Sequence, residues 1–158
     1  IRDRRAVDFI TSLPQYNGKA LGVTGSSQGG ALSMVTAALD KRVTFYAAIH
    51  PAMCDHRAHL QKVAGGWPHY FYYFPTPTPQ RIQTADYYDM VNFARRITVP
   101  GWFSWGYNDD VCPPTSTYAA YNSITAPKEL HPYLETGHYW YQEQYEQWSQ
   151  WLWAQMGL

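Results

Sequence analysis

The sequence predicts an α/β fold, a mostly parallel sheet flanked by helices, and three observations carry that expectation. Short apolar runs suited to buried strands alternate with longer stretches of helical periodicity. The first of those runs, residues 20–24, leads into the glycine-pinched turn Gly25-Ser26-Ser27-Gln28-Gly29 and then into small and apolar residues, so a strand passes straight into a helix. A second strand candidate, residues 43–49, follows that helix and completes a strand-helix-strand unit, the unit from which parallel sheets are built.

The elements follow in order. Residues 3–13 place Ala6, Val7, Phe9, Ile10 and Leu13 on one helical stripe, which Pro14 and Asn17-Gly18 end. After the turn a helix runs over 28–39 and stops at Asp40-Lys41-Arg42, 43–49 reads as a buried strand, and 54–63 looks helical. Residues 67–74 form an irregular excursion dense in aromatic rings and closed by Pro75, Pro77 and Pro79. Burial against the neighbouring layer is the expectation there, ahead of a sugar-stacking or interface role. A helix resumes over 84–95 with Tyr87, Tyr88, Val91 and Phe93 available for packing. Residues 99–105 are the next strand, a helix starts near Pro114, 129–134 is the last strand, and 140–156 is a long closing helix.

With 158 residues the chain is one domain at most. Lysine plus arginine and aspartate plus glutamate both number 12, so no net field draws nucleic acid or an anionic membrane, and neither is expected as a partner. No apolar run approaches the ~18 residues of a membrane span. Cys54 and Cys112 read as free thiols, and nothing in the sequence fixes a compartment. The histidines and acids lack H-E-x-x-H or comparable spacing, so no metal or cofactor is expected, and His56 with His59 reads as a solvated helix face.

The turn at Gly25–Gly29 is a G-x-S-x-G nucleophile elbow, whose register makes Ser27 the candidate nucleophile and points Ser26 elsewhere. Its two glycines are expected for steric reasons, so that strand and helix can approach. A serine hydroxyl needs a base to take its proton and a third group to orient that base. Asp109 and Asp110 follow the strand ending at Trp105-Gly106, and Gly137-His138 follows the last strand, so both loops should emerge beside Ser27. The order serine, acid, histidine is that of the α/β-hydrolase fold. His138 is the candidate base, with Gly137 letting its loop turn, and Asp109 is the orienting acid with Asp110 its rival. His131 lies within a strand, and His50, His56, His59 and His69 do not follow a late strand. The backbone N–H of Gln28, at the helix start, is the candidate oxyanion donor. The fold normally places strands and a second donor ahead of the elbow. The chain is therefore expected to be the C-terminal half of one catalytic domain spanning 1–158, with the N-terminal strands absent or carried by a separate chain.

The sequence resembles the carbohydrate esterase family 7 enzymes, acetyl xylan esterases and cephalosporin C deacetylases. The resemblance rests on Gly25 to Gly30, Ala38 to Val43, Cys54-Asp55 with Arg57-Ala58, Gly106 to Asp109, Val111 to Pro114, and Tyr118 to Asn122. It implies a serine esterase that removes acetyl groups from sugar hydroxyls, with Ser27, Asp109 and His138 as triad, Asp109 preferred over Asp110 by register, and a homo-oligomer with its active sites facing inward. Tyr139 stands where that family usually has a glutamate, and the family's Arg-Gly-Gln motif and oxyanion-hole tyrosine are expected upstream, in the N-terminal portion outside this sequence. A dienelactone-hydrolase-like or prolyl-oligopeptidase-like hydrolase would share the elbow and the order. A non-catalytic assembly or sugar-binding module would instead use the aromatic excursion and the closing helix.

Overall fold

The computed structural model describes residues 2–158. Four strands, β1 (Gly22–Ser26), β2 (Phe45–Ile49), β3 (Gly101–Gly106) and β4 (Lys128–Tyr133), lie side by side in chain order and all parallel. Ser26 pairs with Ile49, Ile49 with Ser104, and Gly106 with Tyr133, so the carboxyl ends of all four strands share one edge. The helices are α1 (Arg2–Ser12), α2 (Gln28–Leu39), α3 (Tyr70–Tyr73), α4 (Pro79–Asp86), α5 (Met90–Ala94), α6 (Pro114–Asn122) and α7 (Gln142–Met156), with a 3₁₀ helix at His56–Gln61.

Strand side chains alternate between the two faces. Tyr46, Ala48, Phe103 and Trp105 pack with Met34 of α2, Met90 and Ala94 of α5 and Ala120 of α6. Phe45, Ala47, Ile49 and Trp102 pack under α7, where Trp151 meets Phe45 edge-on at 5.9 Å. Burial on both faces is why β2 and β3 are buried throughout and carry near-continuous apolar runs rather than alternating ones.

Several elements depart from the sequence expectation. Of the α1 stripe only Val7 is buried, while Phe9, Ile10 and Leu13 are exposed. The helix expected over 84–95 is two helices, because the Asp89 carboxylate accepts the Val91 N–H as the cap of α5 and also the N–H groups of Asp55 and His56. That carboxylate therefore ends one segment and pins another, a tertiary use that local periodicity does not encode. His56 is buried, so the solvated-face reading fails for it. In the aromatic excursion Phe71 is buried, but Tyr72, Tyr73 and Phe74 are exposed, contrary to the expected burial.

Candidate active site

Ser27 joins β1 to α2 with φ 57° and ψ −119°, a left-handed conformation that costs a non-glycine residue about 1–3 kcal/mol. Backbone bonds hold it there: its N–H donates to Ile49 O at 2.9 Å, and its carbonyl accepts from Ala31 and Ala52 at 3.1 and 3.0 Å. Although it is the N-cap of α2, its side chain makes no capping bond, which leaves Oγ available. A Cβ on Gly25 would sit 2.4 Å from the Gly29 backbone, so that glycine is required by the close approach. Gly29 meets nothing within 4 Å and has no such requirement, which corrects the expectation of two steric glycines. The N–H of Gln28 is one of the unpaired donors of the first turn of α2.

The three predicted triad residues come together at the common strand edge. Ser27 Oγ is 2.9 Å from His138 Nε2, and His138 Nδ1 is 2.8 Å from Asp109 Oδ2. The Asp109 carboxylate accepts, so Nδ1 carries the proton and Nε2 is left to accept from the Ser27 hydroxyl. The other oxygen of Asp109 accepts the N–H groups of Val111 and Cys112 at 3.0 and 2.8 Å, which locks the carboxylate, and Asp109 is 3% exposed. Asp110 is exposed and makes no bond to His138, so the rival acid is not engaged.

The acid and base loops are fastened to each other. Tyr107 N donates to Tyr133 O and Asn108 N to Thr136 O, both at 2.9 Å. A Cβ on Gly106 would lie 2.2 Å from Thr136 O, so Gly106 permits this apposition. Gly137, expected to allow a tight turn, has no positive φ and room for a Cβ at ordinary contact distance. The glycine the base loop needs is the one across from it.

Sequence reasoning set aside His50, and the structure places it in the site. It directly follows β2, and its ring lies 4.2 Å from that of His138, with its Nε2 2.6 Å from Ser26 Oγ. Applying the rule of strand carboxyl ends to β2 as well as to the later strands would have found it. Burial holds the His50 imidazole down at about 3, and His138 adds to that. Burial pushes the Cys112 thiol up to about 12, with Asp109 contributing, so it stays protonated, and both cysteines are free. His50, Asp109 and His138 are the one set of metal-type donors within 4.8 Å of one another among the described residues, and both nitrogens of His138 are already bonded to Ser27 and Asp109. Beside Gln28 a cleft of about 450 Å³ is lined by Met53, His56, Trp67, Tyr70 and Arg81.

A strained serine between strand and helix, with a histidine and a buried aspartate from the two later strand ends, defines the α/β-hydrolase class. Within that class, the chain belongs to the acetyl xylan esterase (AXE1) family, whose profile matches residues 2–155. It is 56% identical over 125 residues to an acetyl esterase, Axe7A, of Xylanibacter ruminicola, a match covering 79% of this chain and 28% of the relative. Among solved structures it is similar to an acetyl xylan esterase from Paenibacillus sp. R4, with TM-score 0.83, 30% identity, and 95% of this chain against 50% of that one. A similar match is acetyl xylan esterase 1 from Thermoanaerobacterium sp. JW/SL YS485, with TM-score 0.80, 27% identity, and 96% against 50% coverage. The chain thus spans about half the length of these solved relatives and less of the curated one. No helix among the described residues is long and apolar enough to cross a membrane.

Proposed function

We propose that this chain is the C-terminal half of a serine esterase domain that removes acetyl groups from acetylated carbohydrates, with Ser27, His138 and Asp109 as its triad. The observation that carries the reading is the continuous chain of bonds from Ser27 Oγ through both nitrogens of His138 to Asp109. As the Ser27 hydroxyl attacks the acetyl carbonyl, His138 Nε2 takes its proton and Asp109 stabilises the imidazolium. The oxyanion is met by the Gln28 N–H at the start of α2, where the helix dipole adds to the donor. The imidazolium then protonates the departing sugar oxygen and acetyl-Ser27 remains. Water, deprotonated by His138, attacks that ester, releasing acetate and restoring the serine hydroxyl.

The finer choice of substrate is supported by the cleft next to Gln28. Gln28, Tyr70 and Arg81 line it with side chains whose polar groups make no bond within the chain among the described residues, around Met53 and Trp67. Rings beside free donors suit a sugar alcohol as the leaving group. Exposed Tyr72, Tyr73 and Phe74 are consistent with a self-assembly surface, which sedimentation of the purified protein tests.

A fluorophosphonate probe tests the chemistry. Covalent labelling that maps to Ser27 and is lost in Ser27→Ala, together with acetate release from acetylated xylo-oligosaccharides and none from acetylated peptides, is expected. No labelling of the full-length protein would overturn the enzyme reading in favour of a non-catalytic module.

A further inference from the structure

We propose that His50 is a positioning residue for His138, a neutral aromatic backstop anchored by the hydroxyl of Ser26. The inference rests on the triad reading above and adds a fourth side chain to it. Bonds at Nδ1 and Nε2 hold the His138 ring by its edge and support neither of its faces. The His50 ring, 4.2 Å away and tilted by 47°, stands against it and limits its tilt.

His50 is itself held on every side. Its backbone N–H donates to Ser104 O at 2.7 Å, its Nε2 meets Ser26 Oγ at 2.6 Å, and the Trp140 ring stands edge-on at 6.5 Å. It is 2% exposed and adopts φ 30°, a conformation uncommon outside glycine. Its Nδ1 is buried with no partner. An orphaned buried nitrogen costs about 1–3 kcal/mol, so a hydrocarbon ring would serve packing better. What the imidazole adds is the bond to Ser26, the residue that immediately precedes the nucleophile. The result is a closed circuit: two consecutive serines each grip one of two touching histidines. His50 must stay uncharged for this, since a cation at that distance would oppose the imidazolium that forms on His138. Asp109 and His50 bring polar side-chain atoms within 4.8 Å of those of His138.

The test uses the full-length protein, 4-nitrophenyl acetate turnover, and fluorophosphonate labelling rates. His50→Asn, which tolerates a positive φ but has no ring, is expected to lower kcat and the labelling rate about tenfold with KM nearly unchanged, the signature of lost orientation. His50→Phe restores a ring face and is expected to recover to within about threefold of wild type. Ser26→Ala should slow the wild type about threefold but do nothing further in His50→Phe, where the bond is already gone. Thermal melting of each variant separates these effects from loss of fold, and His50→Phe with Ser26→Ala carries the test if His50→Asn does not fold. Wild-type kcat in His50→Asn overturns the proposal, as does His50→Phe as slow as His50→Asn, or an equal Ser26→Ala effect in both backgrounds. Absence of labelling in the wild type would instead sink the triad reading.

Discussion

Ser26 and Ser27 are consecutive, yet their hydroxyls bond to different histidines, Ser26 to His50 at 2.6 Å and Ser27 to His138 at 2.9 Å. Ser26 ends β1 in extended conformation, whereas the left-handed backbone at Ser27 turns the next hydroxyl out over the strand edge. One step along the chain thus separates a hydroxyl bonded to His50 from one bonded to His138.

Asp109→Asn should leave the fold in place and lower turnover about 10⁴-fold, because an amide in place of the carboxylate favours the wrong tautomer of His138. Acetate release measured beside thermal melting checks it. A loss of less than about tenfold would remove Asp109 from the triad.

The buried His50 ties stability to pH. Its imidazole is held at about 3 when folded, while an unfolded chain takes up the proton near ~6.5. Between those values the unfolded state binds more protons, so the stabilisation is complete above ~6.5 and is lost as pH falls through about 3. Urea unfolding of the wild type should therefore weaken on acidification by on the order of 2 kcal/mol more than that of His50→Phe. Parallel pH dependences would contradict this.

Asp40 is held at about 2, chiefly by its bonds to the Arg42 guanidinium. A depressed carboxyl stabilises the fold above the unfolded value of ~3.9 and ceases to as pH falls through about 2. Asp40→Asn should cost about 1–2 kcal/mol at pH 7, discounted for the partly exposed Arg42. Denaturant titrations should show the gap between the two proteins closing from pH ~4 downwards.

Gly25→Ala should destabilise by about 2 kcal/mol or more, since its Cβ meets backbone that cannot move aside. Gly29→Ala, in open space within α2, should be neutral or stabilising by up to about 1 kcal/mol. Comparable losses at both positions, measured by melting, would contradict the asymmetry.

The elements that local periodicity governs were legible. The helix expected over 28–39 matches α2, and the four strands fall within two residues of their expected ends. The convergence of Ser27, Asp109 and His138 was legible because chain order and strand ends determine where they emerge. Asp89 and His50 were not, since each acts on residues distant in sequence: Asp89 caps α5 while fastening residues 34 and 33 positions earlier, and His50 reaches back 24 to Ser26. The glycines were half legible. The elbow motif marks Gly25, but only the apposition of two loops shows that Gly106, rather than Gly137, is the one without room for a side chain.

Because the loop carrying the acid is laced to the loop carrying the base, the two travel as one body. Any movement of that body would widen or narrow a single gap, the one to the serine, and would leave the imidazole aimed along its carboxylate. On the reading proposed above, reorganisation between acylation and deacylation would be confined to that gap, and each incoming reactant would meet a base that is already set.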